Sequence, residues 1–231
     1  MLARMLGDGA VEYPGRGVAV GRDLEGVPFF SYWLTGRSRA SQARELVVGE
    51  REIVVRDTSG GAVDDLRHYT AAVRGDDWVI VGNGTQVAEL AAVREVQPDL
   101  QVALRGLTYE PDPPIHTPRI TAGATIADAG LTDVVIGSAR ACDGAPELTE
   151  HPSLYAVRVA AGTALTTTTY AGTADHVTIN GRPETVAVAL PWSAITEHLW
   201  QSLQPSLRVA AITVRLDGAG FSGAVQRSRT A

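Results

Sequence analysis

No lysine occurs among the 231 residues, so all 20 basic side chains counted as Lys or Arg are arginine. A GC-rich genome is the simplest reading of the bias, but the chemical consequence stands. Schiff-base catalysis through lysine and a P-loop lysine are both excluded, and anion recognition falls to arginine forks, backbone N–H groups and hydroxyls. Cys142 is the only cysteine, which rules out an internal disulfide and a cysteine-based zinc cluster. The five histidines are scattered without an H-x-x-x-H pair, so no metal is expected. No G-x-S-x-G is present, and Ser38, Ser41 and Cys142 have no neighbouring His/Asp signature, which weighs against a serine or cysteine nucleophile. No segment approaches the roughly 18 apolar residues of a membrane helix, and Met1–Ala10 is too short and polar for a signal peptide, so the expected compartment is cytoplasmic with no membrane partner. The net charge of −6 argues against nucleic acid as a partner, because bulk phosphate attraction needs the opposite sign.

What is present is enough apolar material for a sizeable core, at 45% hydrophobic and 20% charged residues. One domain over 1–217 is expected, followed by a mobile tail over 218–231 with little apolar content. Val18–Val20 and Pro28–Leu34 read as a hairpin, as do the runs on either side of Gly49–Glu50 and the segments Tyr69–Arg74 and Trp78–Val81. From Thr85 to Leu107 the apolar period becomes helical, with a break at Gln97-Pro98-Asp99. Ile120–Ala124 and Asp133–Arg140 read as strands around a turn at Asp128–Gly130. Leu154–Ala160 and Leu165–Tyr170 read as another pair across Gly162. Pro183–Leu190 is strand-compatible, Trp192–Leu203 is helical with Ser193 as its cap, and Arg208–Leu216 is the final strand. This order suits an α+β sandwich with helices outside two packed antiparallel sheets.

Four segments carry candidate chemistry. Tyr13-Pro14-Gly15-Arg16-Gly17 is either a loop that brings backbone and Arg16 close to a ligand or a plain turn leading into a strand. Thr35–Arg44 packs Arg37, Arg39 and Arg44 with Thr35, Ser38 and Ser41, a set suited to an anion and equally to a solvated basic loop. Gly82-Asn83-Gly84-Thr85-Gln86 joins a strand to a helix; it fits anion or carbonyl recognition but also a simple helix cap, and it is not a dinucleotide fingerprint. Tyr109-Glu110-Pro111-Asp112, followed by Thr117-Pro118-Arg119, places two carboxylates in a proline-stiffened loop near an arginine, where their protonation states can differ.

Taken together, the words YPGRGVAVGR (Tyr13–Arg22), SYWLTGRS (Ser31–Ser38), VGNGTQ (Val81–Gln86) and YEPDPPIHTPRI (Tyr109–Ile120) resemble the archaeal-type IMP cyclohydrolases and their bacterial relatives, in the same order and at compatible spacing. The likeness covers the first half of the chain. It implies a four-layer αββα sandwich resembling the N-terminal-nucleophile hydrolases, without self-cleavage. It also implies ring closure of 5-formamidoimidazole-4-carboxamide ribonucleotide (FAICAR) to IMP, with no cofactor, in a homo-oligomer that is a dimer or larger. By that resemblance Glu110 acts as acid/base, Tyr69 donates to the formyl oxygen and Arg37 gives electrostatic support. Arg16, Ser38, Arg44, Asn83, Gly84, Tyr109, Asp112, Thr117 and Arg119 are assigned to substrate binding. Three positions depart from the family pattern: Ala43 in place of Asn, and Val87-Ala88 in place of Thr-Asp. These changes raise two alternatives, a FAICAR analogue in a nucleoside natural-product pathway and a non-catalytic purine-nucleotide-binding relative.

Overall fold

The computed structural model describes residues 12–62, 64–94, 96–127 and 130–229. Met1–Ala10 and the Asp128–Ala129 part of the expected turn lie outside them, as do Thr230 and Ala231.

The chain begins with β1 (Arg16–Arg22), β2 (Pro28–Thr35), α1 (Arg39–Gln42), β3 (Arg44–Val48), β4 (Glu52–Asp57), β5 (Tyr69–Arg74) and β6 (Trp78–Gly82). Next come α2 (Gln86–Val93), α3 (Leu100–Leu104), β7 (Arg119–Ala127), β8 (Gly130–Cys142), β9 (Ala145–Glu150) and β10 (Ser153–Arg158). The last elements are β11 (Thr163–Thr168), β12 (Tyr170–Gly172), β13 (Val177–Ile179), β14 (Glu184–Ala187), α4 (Trp192–Ser202), β15 (Arg208–Arg215) and β16 (Ala224–Ser228). A six-stranded sheet runs β14-β11-β1-β2-β15-β16, and an eight-stranded sheet runs β10-β8-β7-β6-β5-β4-β3 with β9 also on β8. The fold is thus mixed, mostly antiparallel sheet with few helices. Among the described residues no helix is long and apolar enough to cross a membrane.

Alternation along β2 explains how the layers stack. Phe30, Tyr32 and Leu34 enter a core shared with Val79 and Val81 of β6 and Val134 and Ile136 of β8, so this core lies between the two sheets. Phe29 and Trp33 point the other way, onto Ile195 and Leu199 of α4. On the far side of the eight-stranded sheet, Ile80 and Val135 pack with Leu90 of α2 and Leu100 and Leu104 of α3. A strand covered on both faces is apolar at successive positions, and every residue of β2 is buried.

Three local expectations change. β10 and β11 are not partners: β10 pairs with β8 in one sheet and β11 with β1 in the other. Helix α4 is preceded by Pro191, with no side-chain cap of its own; the Trp192 N–H is instead held at 2.9 Å by Asp23 Oδ2, and Ser193 does not cap it. The segment expected to be a mobile tail contains β16, which pairs with β15 over five register positions, so Arg208–Arg215 is not the final strand.

Candidate active site

Arg16 opens β1, Thr35 closes β2, Arg44 opens β3, Tyr69 opens β5, Asn83 follows β6 and Arg119 opens β7. Strand ends from both sheets therefore meet at one end of the molecule, where backbone leaves the ladder and side chains are free for chemistry. The link between sheets is direct: the hydroxyls of Tyr32 (β2) and Tyr69 (β5) are hydrogen-bonded at 2.7 Å.

Glu110 is the centre of this region and is 2% exposed. Its Oε2 accepts from Arg16 Nη2 at 2.9 Å, and its Oε1 accepts from Asn83 Nδ2 at 3.2 Å. Arg16 also donates Nη1 to the Asn83 carbonyl at 3.1 Å. Burial raises the Glu110 carboxyl above its ordinary value; Arg16 opposes this by charge and hydrogen bond, Asp112 adds to it and Arg119 opposes it. For Arg16, burial acts against the charge, but Glu110 and the neighbouring hydroxyls of Tyr69, Tyr170 and Tyr32 outweigh it and hold the guanidinium protonated.

Asn83 ties the region together. Its Nδ2 also donates to the Pro118 carbonyl at 2.8 Å, and its Oδ1 accepts from Ile120 N at 2.8 Å and from Gln86 Nε2 at 3.1 Å. All of its hydrogen-bonding capacity is in use, so it is a bracket for Glu110 rather than a free donor to substrate. Gln86, fully buried, passes the chain outward, its Oε1 accepting from Arg119 Nη1 at 3.1 Å. Gly84 permits this closeness, because a Cβ there would lie 2.7 Å from Gln86 Oε1 and 3.4 Å from Glu110 Oε1.

Two cavities share Glu110 and Leu66 as walls. The larger, about 420 Å³, is lined by Asp64, Asp65, Gly84, Thr85, Pro111 and Arg119. The smaller, about 130 Å³, is lined by Arg16, Thr35, Ser41, Arg44, Arg67, Asp112, Thr117 and Tyr170, with Tyr13 and Gly15. The larger volume falls within the usual range for small-molecule sites, about 300–1,000 Å³. The smaller presents three arginines, suited to anionic or carbonyl oxygen. Arg44 is fixed by donating Nε to the Ser41 carbonyl at 2.7 Å and Nη2 to the Thr35 carbonyl at 3.0 Å.

The structure therefore gathers Arg16, Arg44, Asn83, Gly84, Glu110, Asp112, Thr117 and Arg119, with Tyr69 buried behind them. Three expected residues are not brought in. Arg37 is exposed and donates to the Ala174 carbonyl at 3.3 Å, because the short helix after β2 turns it outward. Ser38 caps that helix in a reciprocal capping box with Ser41. Tyr109 donates its hydroxyl to the Pro146 carbonyl at 2.7 Å and lines neither cavity. Tyr32, Gln86, Arg67 and Tyr170 went unassigned in the sequence. Of these, Tyr32 and Gln86 had a signal, as the second residue of SYWLTGRS and the last of VGNGTQ, whereas Arg67 and Tyr170 had none.

The departures at Ala43, Val87 and Ala88 also line neither cavity. Val87 packs in the helix-side core, Ala88 is exposed and Ala43 ends α1, its carbonyl accepting from Thr58 N. Among the described residues no group of three His, Cys, Asp or Glu side chains is placed to hold a metal ion.

A family model described as IMP cyclohydrolase-like protein matches residues 13–220. No curated protein matches the chain.

Proposed function

Because the chain belongs to the IMP cyclohydrolase-like family, we propose that it closes a purine-type ring by dehydration, converting FAICAR to IMP and water. The observation that carries this reading is Glu110: a buried carboxyl, raised by desolvation, held by Arg16 and Asn83 at the wall between two cavities. Amide nitrogen is a weak nucleophile, so ring closure needs orientation, a base for one N–H and stabilisation of the oxygen that gains charge. Glu110 serves as the base. Arg16, fixed against it, supports charge on the formyl oxygen, and Tyr69 polarises the same region from behind. No organic cofactor takes part.

The carboxamide nitrogen bonds to the formyl carbon as one N–H proton leaves for Glu110 and the C=O π pair moves onto the formyl oxygen beside Arg16. Glu110 then returns that proton to the oxygen. The resulting carbinolamine then loses its hydroxyl with the formamido N–H proton as water, which leaves the ring C=N. Two sheets enclosed by outer helices, with Arg16 rather than Ser, Thr or Cys opening β1, support the αββα sandwich related to N-terminal-nucleophile hydrolases without self-cleavage. A FAICAR analogue is the less favoured substrate, since none of the three changed positions lines the cleft.

Purified protein at micromolar concentration is expected to consume FAICAR and release IMP, followed by chromatography. Absence of turnover under those conditions overturns the reading.

A further inference from the structure

Thr117 has one hydroxyl proton and lies between two oxygen partners. On one side is Asp112, whose Oδ1 accepts from Thr117 N at 2.7 Å and whose Oδ2 accepts from the Thr117 hydroxyl. On the other is the hydroxyl of Tyr170. A carboxylate only accepts, so the Thr117 proton goes to Asp112, and Tyr170 must be the donor to Thr117. The phenolic proton is then committed, and what Tyr170 offers the cavity is an oxygen lone pair.

The ring itself is held still. It stacks on Tyr13 at 5.6 Å between centroids and 19° between planes. It also packs over Gly15, where a Cβ would lie 2.4 Å from the Tyr170 ring and the backbone has φ of +69°. Backbone bonds from Tyr170 N to the Pro14 carbonyl at 3.2 Å and from Thr169 N to the Arg16 carbonyl at 2.8 Å tie this segment to the start of β1. Burial raises the Tyr170 hydroxyl above its ordinary value, with Arg16 and the Thr117 bond opposing and Asp112 and Glu110 adding, so the phenol keeps the proton it donates.

The same walls carry the carboxylates of Glu110 and Asp112, three arginines and the hydroxyls of Thr35, Ser41 and Thr117, which are already bonded to the Gly15 carbonyl, the Ser38 carbonyl and Asp112. Tyr170 adds a neutral acceptor oxygen to the cavity that Glu110 lines. A carboxamide nitrogen brings two N–H groups, one lost and one retained on ring closure. Resting on the ring-closure reading above, we infer that Tyr170 orients the attacking nitrogen by accepting the N–H that the product retains, while Glu110 takes the N–H that is lost. The bond formed is nitrogen to formyl carbon; the bonds broken are one N–H, whose proton moves to Glu110, and the formyl C=O π bond, whose electron pair moves onto oxygen, and nothing is oxidised or reduced.

Steady-state kinetics with FAICAR on the wild type, Tyr170→Phe, Thr117→Val and the double variant test this. Tyr170→Phe keeps the stacked ring and is expected to lower kcat roughly tenfold to a hundredfold, the effect of one lost buried hydrogen bond, with KM changed less than about threefold. Thr117→Val frees the phenolic proton to turn toward the cavity and is expected to lower kcat as well. The double variant is expected to be no worse than Tyr170→Phe, because without the phenol there is no proton left to misdirect; a packing role would instead make the losses add. A wild type that turns FAICAR over while Tyr170→Phe keeps kcat within twofold overturns the inference alone, as do additive losses. If Tyr170→Phe does not fold, Thr117→Val decides, and wild-type kcat in that variant is the overturning result. A wild type that forms no IMP removes the ring-closure reading itself.

Discussion

Glu110 is held between opposed influences. Desolvation favours its neutral acid, while the Arg16 guanidinium at 2.9 Å favours the carboxylate, and the first prevails enough to raise its titration above the ordinary range. A base must be ionised to accept a proton, so activity is expected to be low where Glu110 is protonated and to rise as pH increases through its raised value. The acid limb of kcat/KM against pH should therefore lie above the ordinary carboxylate value of about 4.5. Glu110→Gln is expected to lose about a hundredfold or more in kcat/KM and to lose that limb, measured by initial rates across the pH range. For stability the sign is set by the same shift. A fold that prefers the protonated acid gains a contribution fully present below the unfolded value, and that contribution is lost as pH rises through the folded one.

At the scale of elements, the site depends on how strand ends are joined. Asn83 sits just past β6 and binds the end of the 110–118 loop through the Pro118 carbonyl and the start of β7 through Ile120 N. Replacing it with Ala leaves the buried Ile120 N–H, the Pro118 carbonyl and one Glu110 oxygen without their partner. Asn83→Ala is expected to destabilise the protein by about 2–4 kcal/mol, read as a lower urea midpoint at unchanged slope. The hairpins on which this depends, β1–β2, β3–β4, β5–β6 and β7–β8, were legible in the sequence because partners in a hairpin are chain neighbours, each a short apolar run on one side of a turn. The β10–β11 assignment failed for a related reason. Alternation identifies a strand and its buried face but not the sheet it joins, and the chain crosses between sheets around Val159–Gly162. The same limit applies to the site. Arg16, Glu110, Asn83 and Arg119 lie in compact words with turn chemistry, whereas Tyr170 reaches Arg16 from 154 positions away through β11 pairing with β1. Arg37 and Arg44 looked equivalent in one basic loop, yet four residues of helix between them send one outward and the other into the cleft.

The whole molecule is closed by its last segment, which composition alone described as a tail. β16 has few large apolar residues, so it resembled a solvated end, but an edge strand needs only one buried face and a partner with free backbone groups. Here it completes the edge beyond β15, and three side-chain contacts fix it. Thr196 of α4 donates to the Val225 carbonyl at 2.9 Å, Gln226 Nε2 donates to the Leu46 carbonyl of the other sheet at 3.1 Å, and Arg227 pairs with Glu197 at 2.7 Å. Just before it, Phe221 is 2% exposed and meets Phe30 edge-on, with centroids 5.5 Å apart, inside the core between the sheets. The exposed ion pair contributes little, about 0–1 kcal/mol, so the aromatic anchor should dominate. Phe221→Ala removes a ring that the surrounding β-structure cannot readily collapse to fill, a change that costs about 3–5 kcal/mol. In a chain of this length that corresponds to a melting temperature lower by about 10 °C, measurable by calorimetry, whereas Arg227→Ala should shift it by no more than about 3 °C. A loosely attached tail would give the same melting temperature for both variants and for the wild type, so the size of the Phe221→Ala shift decides whether the end of the chain belongs to the cooperative fold.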